Sequence, residues 1–291
     1  MMQGVAVSAN EEIKAKFPDH VVVLKITAIM ILVGMLFGSV LADMAHDWWI
    51  EPAWSQGMLL PPLALYIAWL CRRQVFALPT KPDARGLLIT AFGCGIFVLG
   101  RLAAEFFFTR ISFVILLVGF IGTFWGFRRL QELGFPLLLL ATMVPLPALV
   151  YNSVAAPLQL FASDAATQIV QALGVSVFRD GNIIQLAGLS LGVAEACSGL
   201  NSLSALVAGS ILLAFLSCSG FASRLILVTI SVPIAIAVNV GRIAGTAILA
   251  DHDHKLAMGF YHVFSGWLVF VAGFGLLYVS AIALHRILDS R

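Results

Sequence analysis

Residues 225–250 read LILVTISVPIAIAVNVGRIAGTAILA, an apolar run with a single charge, Arg242. A helix needs roughly 20 such residues to cross a hydrocarbon core of about 30 Å, so this stretch spells a membrane span and sets the fold class. Seven further stretches follow the same pattern: 21–42, 55–71, 87–108, 111–127, 135–152, 199–217 and 262–284. The expected architecture is an all-α polytopic membrane protein of about eight transmembrane helices, in one membrane domain over 1–291. It divides into a tail (1–20), five N-terminal spans (21–152), a long outer loop (153–198) and three C-terminal spans (199–284).

Composition agrees. Of 291 residues, 60% are hydrophobic and 11% charged, with a mean hydropathy of +1.00. A soluble domain carries roughly 25% charged residues because its surface meets water. The net charge of +2 and the absence of a basic run exclude nucleic acid as a partner and leave membrane lipid as the surroundings. Glu11, Glu12, Lys14, Lys16 and Asp19 precede an apolar run long enough to span, so an uncleaved first helix is expected rather than a signal peptide.

Charge bias orients the spans. With the N-terminus cytoplasmic, twelve of the seventeen basic residues lie inside: Lys14, Lys16, Lys25, Arg72, Arg73, Lys81, Arg85, Arg128, Arg129, Arg224, Arg286 and Arg291. Asp43, Asp47, Glu51, Asp251 and Asp253 fall outside. An even number of spans puts both termini on the cytoplasmic side. In the outer loop, Leu158, Phe161, Ala165, Ile169, Val170 and Leu173 recur at helical spacing opposite Asp164, Gln168 and Gln171, the pattern of an amphipathic interfacial helix. Residues 175–193 follow, VSVFRDGNIIQLAGLSLGV, with β-prone runs on either side of Asp180-Gly181 and hence an expected β-hairpin.

The candidate chemistry lies at the outer ends of the last three spans. Cys71 and Cys218 sit at inner ends and Cys94 is mid-span, where a cysteine is ordinary apolar filler. Cys197 alone reaches the outer face. It has no partner thiol for a disulfide there, and it opens a helix whose N–H groups and dipole favour thiolate. Its neighbours Glu195, Ser198 and Asn201 are poor core filler. Arg242 lies about 25 Å along its span, near the outer boundary. A cation there either snorkels, pairs with Asp251, or stands beside the thiol to lower its pKa and hold an oxyanion. His262, at the outer start of the last span, is by itself an interfacial bystander. Beside Cys197 and Arg242 it supplies the acid/base that cysteine acyl transfer requires. Asn239 joins Glu195, Ser198 and Asn201 as a supporting residue.

The runs VAEACSGLNSL (193–203), NVGRIAGTAIL (239–249) and HVFSGWLVF (262–270) together resemble the signature segments of the exosortase/archaeosortase family. PLLLLATMVPLPALVYNSVAAPLQ (136–159) and FRDGNIIQL (178–186) are similar to it too, and the likeness covers residues 85–285. The resemblance implies a bacterial inner-membrane cysteine protease/transpeptidase with its active site facing the periplasm and no cofactor. Cys197 would be its nucleophile and Arg242 and His262 its assisting residues, the histidine marking the bacterial branch. Its partners would be exported proteins ending in a PEP-CTERM-like sorting signal: a Pro-Glu-Pro motif, a hydrophobic helix and a basic tail. The acyl acceptor would be water or an amine on a lipid or polysaccharide carrier. Family members often have a basic residue where this chain has Asn201 and a bulkier one at Gly241, departures that suit a subfamily or a different sorting motif. The rival readings are a polytopic transporter or channel and a non-enzymatic component of polysaccharide export.

Secondary features carry paired readings. Arg101 and Glu105 form an ion pair on one face of the third span, or else Arg101 or Arg110 reads the acidic residue of a sorting signal. Asp251, His252, Asp253 and His254 are a polar outer loop rather than a metal site. Trp48, Trp49 and Trp54 form an interfacial aromatic belt, and Pro145 and Pro147 kink the fifth span.

Overall fold

The computed structural model describes residues 20–186, 189–192, 200–218, 220–252 and 260–289. The chain divides into two units, residues 1–45 and 46–291. Helix α1 (His20–Ile50) makes up the described part of the first, with Leu24, Leu32 and Met35 strongly exposed as lipid-facing residues should be, and its last turn belongs to the second.

The second unit continues with a 3₁₀ turn (Pro52–Met58), α2 (Leu60–Ala77), α3 (Arg85–Leu102) and α4 (Phe106–Trp125). Apolar helices gain no hydrophobic drive from one another in lipid, so close backbone approach must hold them. The α3–α4 hairpin shows how. Gly86, Gly93 and Gly100 recur every seventh residue as the buried stripe of α3. A Cβ at Gly86 would strike the Thr123 amide, one at Gly100 would sit 2.6 Å from the Thr109 amide, and one at Gly119 of α4 would strike Thr90.

The reversal between these helices corrects an expectation. Arg101 and Glu105 do not share one helical face. Helix α3 stops at Leu102, Ala104 takes φ +50°, and Glu105 caps α4 by accepting the Phe107 amide at 3.2 Å. The carboxylate satisfies a free helix-end donor, which outweighs continuing the helix. Thr109 and Arg110, which fall between the expected spans 87–108 and 111–127, are the fourth and fifth residues of α4. At the other end Gly126 takes φ +86°, and a Cβ there would strike the Lys81 carbonyl. Buried Arg129, in the short α5 (Phe127–Glu132), donates Nε and Nη2 to the Leu78 carbonyl at 3.1 and 2.7 Å.

The expected fifth span is likewise two helices, α6 (Gly134–Thr142) and α7 (Ala148–Ala172). Between them Pro145 and Pro147 lack amide donors and turn their predecessors away from helical geometry. Trp48 Nε1 donates to the freed Met143 carbonyl at 3.2 Å, and its ring lies on Gly57. Trp48 is therefore buried, whereas Trp49 is exposed and Trp54 packs on Tyr151 at 5.2 Å. Helix α7 runs through Pro157, so the expected loop boundary at 153 falls inside it.

The hairpin is present within a three-stranded antiparallel meander: β1 (Phe178–Asp180), β2 (Ile183–Leu186) and β3 (Leu189–Gly192). Asp180 pairs with Ile183, and Gly181, at φ +61°, takes the left-handed turn position. Three long helices follow, α8 (Leu200–Ser217), α9 (Phe221–His252) and α10 (Phe260–Leu284). Leu206 and Leu213 of α8, Leu227 and Ala235 of α9, and Leu277 and Ala281 of α10 form one buried core. Stacked rings of Phe135 and Phe215, 3.8 Å apart, join α6 to α8.

Among the described residues five helices are long and apolar enough to cross a membrane: Thr27–Ile50, Arg85–Leu102, Phe106–Trp125, Phe221–His252 and Phe264–Leu288. Ser202–Ser217 is a shorter apolar helix. Of the other expected spans, α2 carries Arg72 and Arg73, and 135–152 is broken by its prolines.

Replacing Gly126 with Ala puts a Cβ at a left-handed φ and against a backbone carbonyl. It should lower stability by about 2–3 kcal/mol, read as a fall in the midpoint of thermal unfolding in detergent. Gly134, with open space around it, should accept Ala without that loss.

Candidate active site

Helix α9 buries one face along its length: Ser223, Leu227, Ser231, Ala235 and Asn239 at every fourth residue, then Val240, Ile243, Ala244, Ala247 and Ala250. In the lower part Ser231 is satisfied within the helix, donating to the Val228 carbonyl at 2.7 Å. Arg242 follows Asn239 by three residues and so shares its side of the helix. Asn239 is 2% exposed and Arg242 is half-buried. Thr246, one turn on, donates Oγ1 to the Arg242 carbonyl at 2.8 Å.

The Arg242 guanidinium reaches across to α10. A Cβ built on Gly266 would lie 3.6 Å from Arg242 Nη1. The head group thus lies within ordinary van der Waals range of position 266, and position 262 stands one turn, about 6 Å, nearer the start of the same helix and on the same face. Sequence reasoning missed Gly266, although a small residue four places after His262 in HVFSGW was legible. Depth can be reckoned along the helices. Leu206 of α8 packs on Gly273 of α10, seven residues or about 10.5 Å beyond Gly266. Leu200 precedes Leu206 by six residues, about 9 Å. The first turn of α8 and the Arg242 guanidinium therefore share one level.

Of the residues expected to act, Glu195, Cys197 and Ser198 lie outside the described residues, between β3 and α8. Asn201 is in the first turn of α8 and His262 in that of α10, with side chains outside the described residues. Both ends of the Cys197 segment are built on the helix that carries Arg242. Helix α8 packs along α9. On the other side, Ile184 and Leu186 of β2 are buried with Ala162, Ala166 and Val170 of α7 against Val240, Ile243, Ala244 and Ala247 of α9. Asp164 pairs with Arg179 at 3.2 Å, and Arg179 Nη1 donates to the Gly181 carbonyl at 2.8 Å, tying the sheet to α7.

The other arginines considered as readers of an acidic signal part company. Arg101 is exposed at the end of α3 with its guanidinium over the Phe97 ring. Arg110 is 7% exposed and donates Nη2 to Asp47 Oδ2 at 2.5 Å, joining α4 to the last turn of α1. A desolvated guanidinium so paired serves as a structural tie.

A helical membrane protein with a half-buried arginine between two antiparallel helices, level with the start of a third and flanked by a docked β-meander, is the class that this geometry defines. The chain belongs to the transmembrane exosortase family (Exosortase_EpsH), whose model matches residues 48–279, well over half of the sequence. The resemblance, seen over residues 85–285, is thereby met by a match that begins earlier, at residue 48, and so also takes in α2. No curated protein and no solved structure matches the chain.

The Asp47–Arg110 pair makes an ordered prediction. Asp47→Asn strands a buried cation and should cost about 3 kcal/mol. Arg110→Met leaves a carboxylate that is 37% exposed and can turn to water, and should cost less. The double variant should lose less than the sum, by about 1–3 kcal/mol. Detergent denaturation of the four proteins checks the order, and strict additivity would refute the tie.

Proposed function

We propose that the protein is a membrane-embedded cysteine protease/transpeptidase that cleaves C-terminal sorting signals of exported proteins at the periplasmic face of a bacterial inner membrane. Both termini are cytoplasmic in this reading. The observation that carries it is the Arg242 guanidinium set against α10, one turn from position 262 and level with the start of α8, which Cys197 precedes by three residues. Family membership supports the activity class, and the signature segments support the PEP-CTERM-like form of the signal.

The substrate's hydrophobic helix lies in the bilayer and presents its motif at the mouth of α8, α9 and α10. The Cys197 thiolate attacks the scissile carbonyl carbon, and the electron pair of the C=O moves to oxygen. Arg242 holds that oxyanion through charge-assisted hydrogen bonds. Collapse breaks the C–N bond as His262 donates a proton to the leaving amine, and a thioester remains on Cys197. Water or an acceptor amine, deprotonated by His262, then attacks the thioester, releases the acyl group and restores the thiolate. Glu195, Ser198, Asn201 and Asn239 support these groups. Below Arg242 the buried core of α8, α9 and α10 is apolar apart from serines, of which Ser210 and Ser231 bond carbonyls of their own helices, and among the described residues it holds no buried charge, which suits a site at one face better than a polar path through the membrane.

Cys197→Ala and Cys197→Ser should abolish shortening of exported proteins that carry the signal, read as mature against precursor size in cells. Arg242→Lys should lower kcat by about 10²-fold or more, since a point charge replaces a fork. Gly266→Leu, which fills the space beside the guanidinium, should lower kcat in the same direction while Gly266→Ala is milder. Normal processing in both Cys197 variants would sink the reading.

A further inference from the structure

The meander has two edges, and they differ. The β1 edge carries Arg179 and Asp180 and packs against α7. Charge and cover are the usual means by which proteins blunt a strand edge against new pairing. The β3 edge, Leu189-Ser190-Leu191-Gly192, has no charge and no proline, and among the described residues its only strand neighbour is β2. Ser190 and Gly192 are exposed, and a Cβ on Gly192 would meet open space.

The register says which backbone groups face outward. Asp180 and Ile183 close a two-residue turn and so bond each other. Alternation then aims the backbone groups of Ile184 and Leu186 at β3, where their partners are Leu191 and Leu189. The N–H and C=O groups of Ser190 and Gly192 therefore point away from β2. Leu191 packs on the core that β2 shares with Val240 and Ile243 of α9, so the edge is anchored to the helix that carries Arg242. Gly192 precedes Cys197 by five residues, a reach of at most about 18 Å.

We propose that the outward edge of β3, through the backbone groups of Ser190 and Gly192, binds the extended peptide that carries the scissile bond as an added antiparallel strand. This rests on the assignment of Cys197 as nucleophile. Strand addition reads backbone rather than side chains, and it would hold a peptide straight while the Cys197 segment, leaving β3, meets its carbonyl.

The test uses the full chain in lipid nanodiscs and an exported-protein reporter ending in Pro-Glu-Pro, a hydrophobic helix of about 20 residues and a basic tail. Ser190→Pro deletes one outward N–H that the β2–β3 ladder does not use, a change that edge strands accept. KM should rise about tenfold, with kcat much less affected and Cys197 labelled by a small thiol reagent at the wild-type rate. In a second arm the unaltered enzyme receives reporters with N-methyl amides at successive positions around the scissile bond, and KM should rise at alternate positions. A flat N-methyl series overturns the proposal. So does an unchanged KM in Ser190→Pro, including the case where that variant turns a dimer into a monomer and so assigns the edge to a second copy. Processing that survives Cys197→Ala is a different failure, that of the nucleophile assignment.

Discussion

In a bilayer no water reaches the backbone, so each peptide group that leaves a helix must find its partner within the protein. The second unit meets that demand with side chains at several of its described interruptions. The Met143 carbonyl, freed by the proline-bearing break, is met by the Trp48 indole. Arg129 meets the Leu78 carbonyl at the end of α2 with two donors, and Arg224 meets the Cys218 carbonyl at the end of α8 at 2.9 Å. Glu105 serves the first amides of α4. Side chains that look costly in a membrane are thus the means by which its helices are allowed to stop.

That division of labour sharpens the meaning of Arg242. Arg110, Arg129 and Arg224 each close a local account of charge or hydrogen bonds with a carboxylate or a carbonyl. Arg242 sits in the middle of a helix that continues to His252, where no chain end needs capping. Its head group lies against Gly266 of α10, tying α9 to the outer part of that helix.

Much of this was legible in the sequence for simple reasons. Length and apolarity mark spans such as 225–250, and Asp180-Gly181 marks the hairpin because its turn needs a residue tolerant of positive φ. What was not legible depends on contacts between distant residues. Arg101 and Glu105 have perfect spacing for a helical pair, yet Glu105 is worth more as a cap. Trp48 has the composition of an aromatic belt, yet a carbonyl 95 residues away claims its N–H. The glycine seam of α3 is visible as a seven-residue interval, but only the approach of Thr123 and Thr109 explains it. At the site, Arg242 and His262 are conspicuous by polarity, whereas Gly266 and the core beneath the sheet act by absence and by packing.

The sheet matters because acyl transfer is demanding of orientation. A nucleophile held at the productive angle can gain several orders of magnitude over one that wanders, and sites keep that angle only where the elements on both sides are themselves held. Residues 193–199 join β3 to α8, a tether too short to forget the positions of its ends. One end is fixed through Ile184 and Leu186 to α9 and through Arg179 and Asp164 to α7, and the other through Leu206 to α10. Since α9 carries Arg242 and α10 carries position 262, the packing that secures the fold also fixes the two described ends between which the proposed nucleophile segment runs. An otherwise all-helical membrane protein thereby has a physical use for three short strands.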